Sequence, residues 1–152
     1  MLTNASKYAI RAVLYLTKHA NTQKKLSSSD IAKGLDLSES FIAKLLQTLA
    51  KKKIISSLKG PKGGFFMSKD NLKNNINDVI WAIEERNIFD GCFLGLPRCS
   101  DENPCPIHHI VAPFKDELFK KFNDITILEF SDEIQINGTF LTIKDSNKSI
   151  EL

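Results

Sequence analysis

The chain has 152 residues, of which 42% are hydrophobic and ten are phenylalanine, so it is long enough to bury the core of one domain. No apolar run approaches the ~20 residues needed to span a bilayer, which argues against an integral membrane protein. The net charge of +3 hides an asymmetry, because residues 1–69 carry +10 and residues 70–152 carry −7. Such a split is typical of a nucleic-acid-binding part joined to another module, although lysines also solubilise ordinary surfaces.

The first predicted element is an amphipathic helix from about Asn4 to Ala20. Its apolar side follows a helical period at Ala9, Ile10, Val13, Leu14, Leu16 and Thr17. Charges at Lys7, Arg11 and Lys18 interrupt this segment and no small-residue cleavage site follows, so we do not expect a signal peptide. We therefore expect a cytoplasmic protein.

Two further helices are predicted between residues 27 and 53. Ser27 and Asp30 have the spacing of a capping signal at the start of the second helix, and we expect Gly34 to end that helix. Ser38 is placed to cap the third helix, whose apolar positions Ile42, Leu45, Leu46 and Leu49 recur at helical spacing. A helix, a tight turn and a second helix of these lengths form a helix-turn-helix.

A β-hairpin is predicted directly after the third helix. Residues 54–58, IISSL, alternate like a strand, residues 59–64 make a tight turn, and FFM at residues 65–67 returns as a second strand. A hairpin in this place is the wing of a winged helix-turn-helix. We therefore expect a fold that is mainly α with a small β wing, in which a winged helix-turn-helix DNA-binding domain over residues 1–90 is joined to a long dimerisation helix.

The acidic half predicts a helix at INDVIWAIE, a cysteine-rich loop over residues 91–108, and then a long helix. The long helix has an apolar stripe at Ile107, Ile110, Val111, Phe114, Leu118 and Phe122. Pro106 suits its first turn, whereas Pro113 should kink the helix or shift its start. A stripe of this kind is more often core, but the N-terminal domain has enough helices of its own. We therefore interpret residues 109–130 as a dimerisation region.

The last predicted elements are a capping box and a hairpin in the C-terminal tail. Thr126 and Glu129 have the spacing of a capping box. In the tail, residues 131–152, the pattern IQI-NG-TFLTI predicts a hairpin whose turn is formed by Asn137 and Gly138.

The cysteines are clustered, since Cys92, Cys99 and Cys105 are the only three and His108 follows the last with C-x-x-H spacing. Three thiolates and a nitrogen donor suit an iron–sulfur cluster or zinc, although the close cysteine pair of most structural zinc sites is missing. Disulfide formation between two of the thiols needs no metal and is a second interpretation. A third, an enzyme with Cys105 as nucleophile and His108 as base, lacks an orienting group, an oxyanion site and a cofactor loop.

The third helix and the wing supply the candidate DNA contacts. Side chains at the start of a helix in the major groove face base edges, and here these are Ser38, Glu39, Ser40, Phe41 and Lys44. In purely structural roles, Phe41 would lie in the core and Glu39 would stabilise the helix dipole. Lysines suited to phosphate contacts are Lys51, Lys52, Lys53, Lys59 and Lys62.

Over roughly residues 1–130 the chain resembles the Rrf-type winged-helix regulators of bacteria. The similarity is carried by SSSDIAKGLDLSESFIAKLLQTLAKKKIISSLKGPKGGFFMSK, by INDVIWAIE and by the three cysteines that follow. The resemblance implies a homodimeric transcription factor, not an enzyme, that binds a palindromic operator in double-stranded DNA. It also implies that an iron–sulfur cluster senses redox, iron or nitric oxide status.

The resemblance also implies the ligands of that cluster. In the IscR-like branch they are three cysteines and a histidine, which correspond here to Cys92, Cys99, Cys105 and His108 and imply a 2Fe-2S cluster, with 4Fe-4S as the alternative. In the NsrR-like branch, an acidic residue near the N-terminus of the partner subunit completes a four-iron cluster. The corresponding stretch here, SKY at residues 6–8, has no carboxylate. A winged-helix repressor that responds through thiol oxidation or a small ligand is the alternative function.

Overall fold

The computed structural model describes residues 2–137, which form six α-helices and a two-stranded antiparallel sheet. In chain order the elements are α1 (Asn4–His19), α2 (Ser28–Leu35), α3 (Glu39–Lys51), β1 (Ser56–Leu58), β2 (Gly64–Phe66), a 3-10 turn (Asn71–Lys73), α4 (Ile76–Glu84), α5 (His108–Asp124) and α6 (Ile127–Asn137). The predicted class, mainly α with a small β wing, is confirmed. Over the described range, no helix combines the length and the apolar character needed to cross a membrane.

Helix α1 lies at the centre of the core and packs against α2, α3, α4 and α6. Its apolar stripe is the reason, since Ala9, Val13 and Leu16 are fully buried. The Thr3 side chain begins the helix by accepting a hydrogen bond from the backbone N–H of Ser6 at 3.2 Å. The predicted first helix is therefore confirmed, and it ends at His19, one residue earlier than expected.

The helix-turn-helix forms as predicted, but Gly34 does not end α2. The capping box of Ser27 and Asp30 is present, and the helix continues through Gly34 to Leu35. The left-handed residue after the helix is Asp36, with a φ of 57°. A Cβ atom on Gly34 would lie 2.1 Å from the hydroxyl oxygen of Tyr15. The glycine is therefore explained by the close approach of α1 and α2 rather than by the turn.

The wing is present with shorter strands than the pattern predicts. Strands β1 and β2 pair antiparallel with Ser57 opposite Phe65. Ile54, Ile55 and Met67 were expected in the strands, but they lie outside them and are buried in the core. Leu26 extends the sheet through two backbone hydrogen bonds with Phe65, at 2.8 and 3.0 Å. The base of the wing is thereby attached to the segment that precedes α2.

The buried side chain of Asn71 joins the wing to the end of α3. Its Oδ1 accepts hydrogen bonds from the Ser56 hydroxyl at 2.7 Å, the Ser68 backbone N–H at 2.9 Å and the Ser68 hydroxyl at 2.8 Å. Its Nδ2 donates to the carbonyl of Lys53 at 2.9 Å. A single amide thus fixes both ends of the hairpin, because every polar atom it offers is used.

The C-terminal helices α5 and α6 pack back against the N-terminal part of the structure. Asn77 on α4 donates from Nδ2 to the carbonyl of Phe119 on α5 at 2.9 Å. Ile127, at the start of α6, is fully buried, and its N–H donates to the carbonyl of Asn74 at 2.8 Å. The predicted capping box is confirmed, since the Glu129 carboxylate accepts from both the N–H and the hydroxyl of Thr126 at 2.7 Å.

Two expectations about the C-terminal half need correction. Helix α5 begins at His108, so Pro106 precedes the helix, and Pro113 lies inside it without shifting its start. The segment 134–136, predicted as a strand, is the end of α6. The helix is favoured because a capping box begins it and its apolar residues recur at three- and four-residue steps. The rest of the predicted hairpin lies outside the described residues.

Candidate functional site

The candidate DNA-contacting residues all lie on the surface, from the residue before α3 to its last residue, Lys51, and on the wing. Ser38 precedes α3 with extended backbone but makes no capping bond to the helix, and its hydroxyl oxygen lies 3.1 Å from that of Ser40. The exposed candidates on α3 and the wing are Glu39, Phe41, Lys44, Lys51, Lys59 and Lys62. Helix α3 and the wing, the two elements that a winged helix presents to DNA, therefore carry these side chains. Both elements lie in the basic half of the chain, residues 1–69.

Phe41 is neither core nor isolated. Its side chain is 38% exposed, and its ring meets the Tyr8 ring edge-on, with centroids 5.6 Å apart. The guanidinium of Arg11 lies 5.7 Å from the centre of the same Tyr8 ring. The edge-on contact with Tyr8 orients the Phe41 ring and leaves part of it accessible. This arrangement is compatible with contact to a thymine methyl group.

The cysteine loop connects α4 to α5 and brings the four predicted ligands together in two pairs. The Cys99 sulfur lies 3.4 Å from Nδ1 of His108, the first residue of α5. The Cys105 thiol lies near enough to Cys92 to contribute to lowering the pKa of Cys92. All three cysteines are free and half-buried. The imidazole of His108 is 11% exposed, whereas neighbouring His109 is exposed, so only the first of the two histidines faces the site.

Hydrogen bonding favours the thiolate form of Cys92. The backbone N–H groups of Leu94 and Leu96 are the main reason that the pKa of Cys92 is lowered, with smaller contributions from the Cys105 thiol and the charge of Lys115. A thiolate is the form that acts as a metal ligand or as a nucleophile.

Cys92 lines a cleft of about 640 Å³ beside the loop. The cleft also contacts Thr3 from the start of α1, Arg86 from the segment after α4, and Lys115 from α5. Elements from both halves of the chain therefore line this cleft.

A carboxylate closes the junction between α4 and α1. Glu84, the last residue of α4, accepts hydrogen bonds from the Ser6 hydroxyl at 2.6 Å and from the Thr3 hydroxyl. These two bonds, with Ser6 the stronger influence, lower the pKa of Glu84. On the next residue, the Glu85 carboxylate pairs with Lys52 at 2.8 Å, immediately beyond the end of α3. The segment that leads from α4 into the cysteine loop therefore begins at residues bonded to α1 and to the end of α3.

The donor atoms suit an iron–sulfur cluster better than a preformed single-ion site. Three thiols and one shielded imidazole lie between residues 92 and 108, and hydrogen bonding lowers the pKa of one thiol, that of Cys92. In the part of the chain that the structure describes, no three His, Cys, Asp or Glu side chains are arranged to hold a metal ion. The chemistry of the donor set fits a cluster, while the two pairs of ligands would have to approach each other around it.

Comparison with known proteins identifies the family. The family model Rrf2, described as Iron-dependent Transcriptional regulator, matches residues 2–133. The chain belongs to the Rrf2 family. A predicted HTH-type transcriptional regulator of Aquifex aeolicus is 30% identical over 129 residues, 84% of this chain and 88% of the relative. The HTH-type transcriptional regulator IscR of an Enterobacter species is 27% identical over 135 residues, 89% of this chain and 82% of the relative.

Two solved structures have the same fold as this Rrf2 protein. One is CymR, the global cysteine regulator of B. subtilis, with a TM-score of 0.68 and 16% identity over 87% of this chain and 96% of that one. The other is IscR of T. potens, with a TM-score of 0.68 and 16% identity over 92% of each chain. At these identities the likeness establishes the winged-helix fold alone.

Two residues that contact the candidate ligands were not predicted from sequence. Asp101 lies 2.7 Å from Nε2 of His108 and orients the ring, and Lys115 contacts Cys99 from α5. Lys115 follows His108 by seven residues, which is two helical turns, so helical phase places both on one face. Asp101 gave no comparable signal because it lies in an irregular loop.

Proposed function

We propose that this transcriptional regulator of the Rrf2 family binds operator DNA as a homodimer and senses its signal through an iron–sulfur cluster held by Cys92, Cys99, Cys105 and His108. The observation that carries the proposal is the placement of these four side chains between α4 and the first residue of α5, with the Cys99 sulfur 3.4 Å from Nδ1 of His108. When bound, the cluster would supply a one-electron redox centre that also reacts with oxygen or nitric oxide.

The chain's own residues explain how the loop could influence DNA binding. Asp101 holds the His108 ring by its Nε2 atom, so Nδ1 is the nitrogen directed towards the sulfur of Cys99. Drawing the two ligand pairs together would order the loop, and the segment that leads into the loop is fastened to α1 and to the end of α3 through Glu84 and Glu85. We infer a two-state loop that biases the position of the recognition helix α3.

The decisive test of the cluster is made on protein purified without oxygen. Iron and acid-labile sulfide are assayed on the same sample whose visible absorption and electron paramagnetic resonance spectra are recorded. Equal amounts of iron and sulfide with visible absorption support the proposal, and the reduced-state resonance distinguishes a 2Fe-2S from a 4Fe-4S cluster. A colourless protein that resists reconstitution would contradict it.

A second candidate function uses the same cysteines without metal. The lowered pKa of Cys92, to which the nearby Cys105 thiol contributes, favours disulfide formation between these two residues under oxidation. Such a disulfide would also close the loop. Intact mass after mild oxidation distinguishes the two functions, because a disulfide lowers the mass of the apo chain by two hydrogens while a cluster adds iron and sulfide.

DNA binding by the wing should be visible in the salt dependence of affinity. Changing both Lys59 and Lys62 to glutamine is expected to lower the slope of log K against log[salt] by about 1.8, because each phosphate contact contributes about 0.9. The DNA is the duplex that the wild-type protein selects from a random-sequence library, and affinity is measured by fluorescence anisotropy. Lys121→Gln, on α5, is the matched control and should leave the slope unchanged. A double variant with the wild-type slope would exclude the wing from the interface.

The homodimer is supported by apolar side chains that α5 and α6 leave uncovered. Ile110 is 64% exposed and Phe114 is 53% exposed one turn later, while Leu128 and Ile136 are exposed on α6. A second copy that packs against this surface would bury them. Light scattering should give the molar mass of a dimer for the wild type and of a monomer for Phe114→Glu. A dimer that survives this substitution would place the interface elsewhere.

A further inference from the structure

Lys115 is a buried positive charge whose role the ligand set does not explain. It lies on α5 under the cysteine loop and is 8% exposed, the one charged side chain that is buried within residues 2–137. Its ammonium donates to the carbonyl of Gly91 at 2.9 Å and to the sulfur of Cys99 at 3.5 Å. Among the described residues, no carboxylate forms an ion pair with it.

A buried ammonium without an anionic partner is costly, because a neutral carbonyl replaces only part of its hydration. The groups around Lys115 that can carry negative charge are thiols, namely Cys99 in direct contact and Cys92 across the same cleft. The cation is therefore placed where its natural partner is the anionic form of the sensor site.

We propose that Lys115 is the fixed positive charge that offsets the negative charge of the ligand set, and that it raises the reduction potential of the cluster. The inference rests on the proposed function. Reduction adds one negative charge to the site, and a cation a few ångströms away, shielded from water, stabilises the reduced form more than the oxidised form. Lys115 is a positioning residue in this account, since it acts through the ligands.

The rival role for Lys115 is purely structural, because its bond to Gly91 also holds the first residue of the loop. Two substitutions separate the roles. Lys115→Gln keeps a hydrogen-bond donor and removes the charge, whereas Lys115→Arg keeps the charge in a different shape. Lys120→Gln removes an exposed charge from the same helix and serves as the matched control.

The experiment is a redox titration of the four anaerobically purified proteins, followed by visible absorption after iron and sulfide have been assayed. At the midpoint potential of the wild type, Lys115→Gln should have a ratio of reduced to oxidised cluster at least tenfold lower, which corresponds to a downward shift of about 59 mV or more for one electron. Lys115→Arg and Lys120→Gln should titrate close to the wild type.

Each result decides between the two roles. A wild-type potential in Lys115→Gln would overturn the inference and leave the proposed function intact. If Lys115→Gln holds no cluster, its retention in Lys115→Arg supports the inference, and its loss from both variants assigns Lys115 a structural role and overturns it. A wild-type protein without iron and sulfide would overturn the proposed function, and the inference with it, before any potential is measured.

Discussion

Replacing Cys105 with serine is expected to reduce the iron and sulfide content of anaerobically purified protein to below about one tenth of the wild-type value. Changing even the outer hydrogen-bond partners of metal ligands typically lowers metal affinity 10–100-fold, and here a ligand itself is lost. Cys105 is the informative position because it contacts the Cys92 thiol and lies three residues before His108. Iron, sulfide and the visible spectrum are measured on the same preparation.

The matched pair of controls is provided by the two adjacent histidines. His108→Ala should lower the cluster content, because its shielded imidazole faces Cys99, whereas His109→Ala should retain it because that side chain is exposed. Serine at position 105 with wild-type iron and sulfide would remove this cysteine from the ligand set. Equal losses in both histidine variants would indicate general damage to the start of α5 instead of loss of a ligand.

Asn71→Ala is expected to lower the free energy of unfolding by about 3 kcal/mol. Four hydrogen bonds disappear, from Ser56, from the N–H and hydroxyl of Ser68, and to the carbonyl of Lys53. A net contribution of about 1 kcal/mol for each bond, reduced where water reaches the partners left behind, leads to this value. Urea denaturation followed by circular dichroism measures it.

Asn74→Ala is the control for this prediction. Its Nδ2 makes one hydrogen bond, to the carbonyl of Asn71 at 3.0 Å, so a loss of about 1 kcal/mol or less is expected. Asn71→Ala should also weaken operator binding, since the amide holds both ends of the wing. If Asn71→Ala were no less stable than Asn74→Ala, the network around Asn71 would not be what fixes the wing.

The helical period and the glycine-rich turn were sufficient to predict the winged helix-turn-helix. The apolar stripes of α1 and α3 and the turn between β1 and β2 are local signals, and the structure confirms them. The role of Gly34 was predicted wrongly because the glycine makes room for the ring of Tyr15, which lies nineteen residues away in another helix. The segment 134–136 alternates like a strand over three residues, too short a run to outweigh a capped helix.

The sensor site was predictable only in part. Cysteine clustering and the C-x-x-H spacing selected the candidate ligands, of which Cys99 and His108 lie in contact, but spacing alone contains no information about burial. Lys115, which we propose as the counter-charge of the site, lies two turns after the start of α5, and its bond to the carbonyl of Gly91 depends on how the loop folds back over that helix. From sequence alone, a lysine in a helix is predicted to be exposed to solvent, because lysines are rarely buried.

The burial of Ile127 has a consequence for cooperativity. Ile127 at the start of α6 is buried in the core around α1, and its N–H donates to the carbonyl of Asn74. The segment 76–126 is therefore attached to the same core at both ends. Residues 2–137 should therefore unfold in a single thermal transition. A fragment that stops before α5 would expose the part of the core that Ile127 covers. We therefore expect the two charge-defined halves of the sequence to form one folding unit, in which a signal at the cysteine loop would reach α3 by deforming a shared core instead of by moving one domain against another.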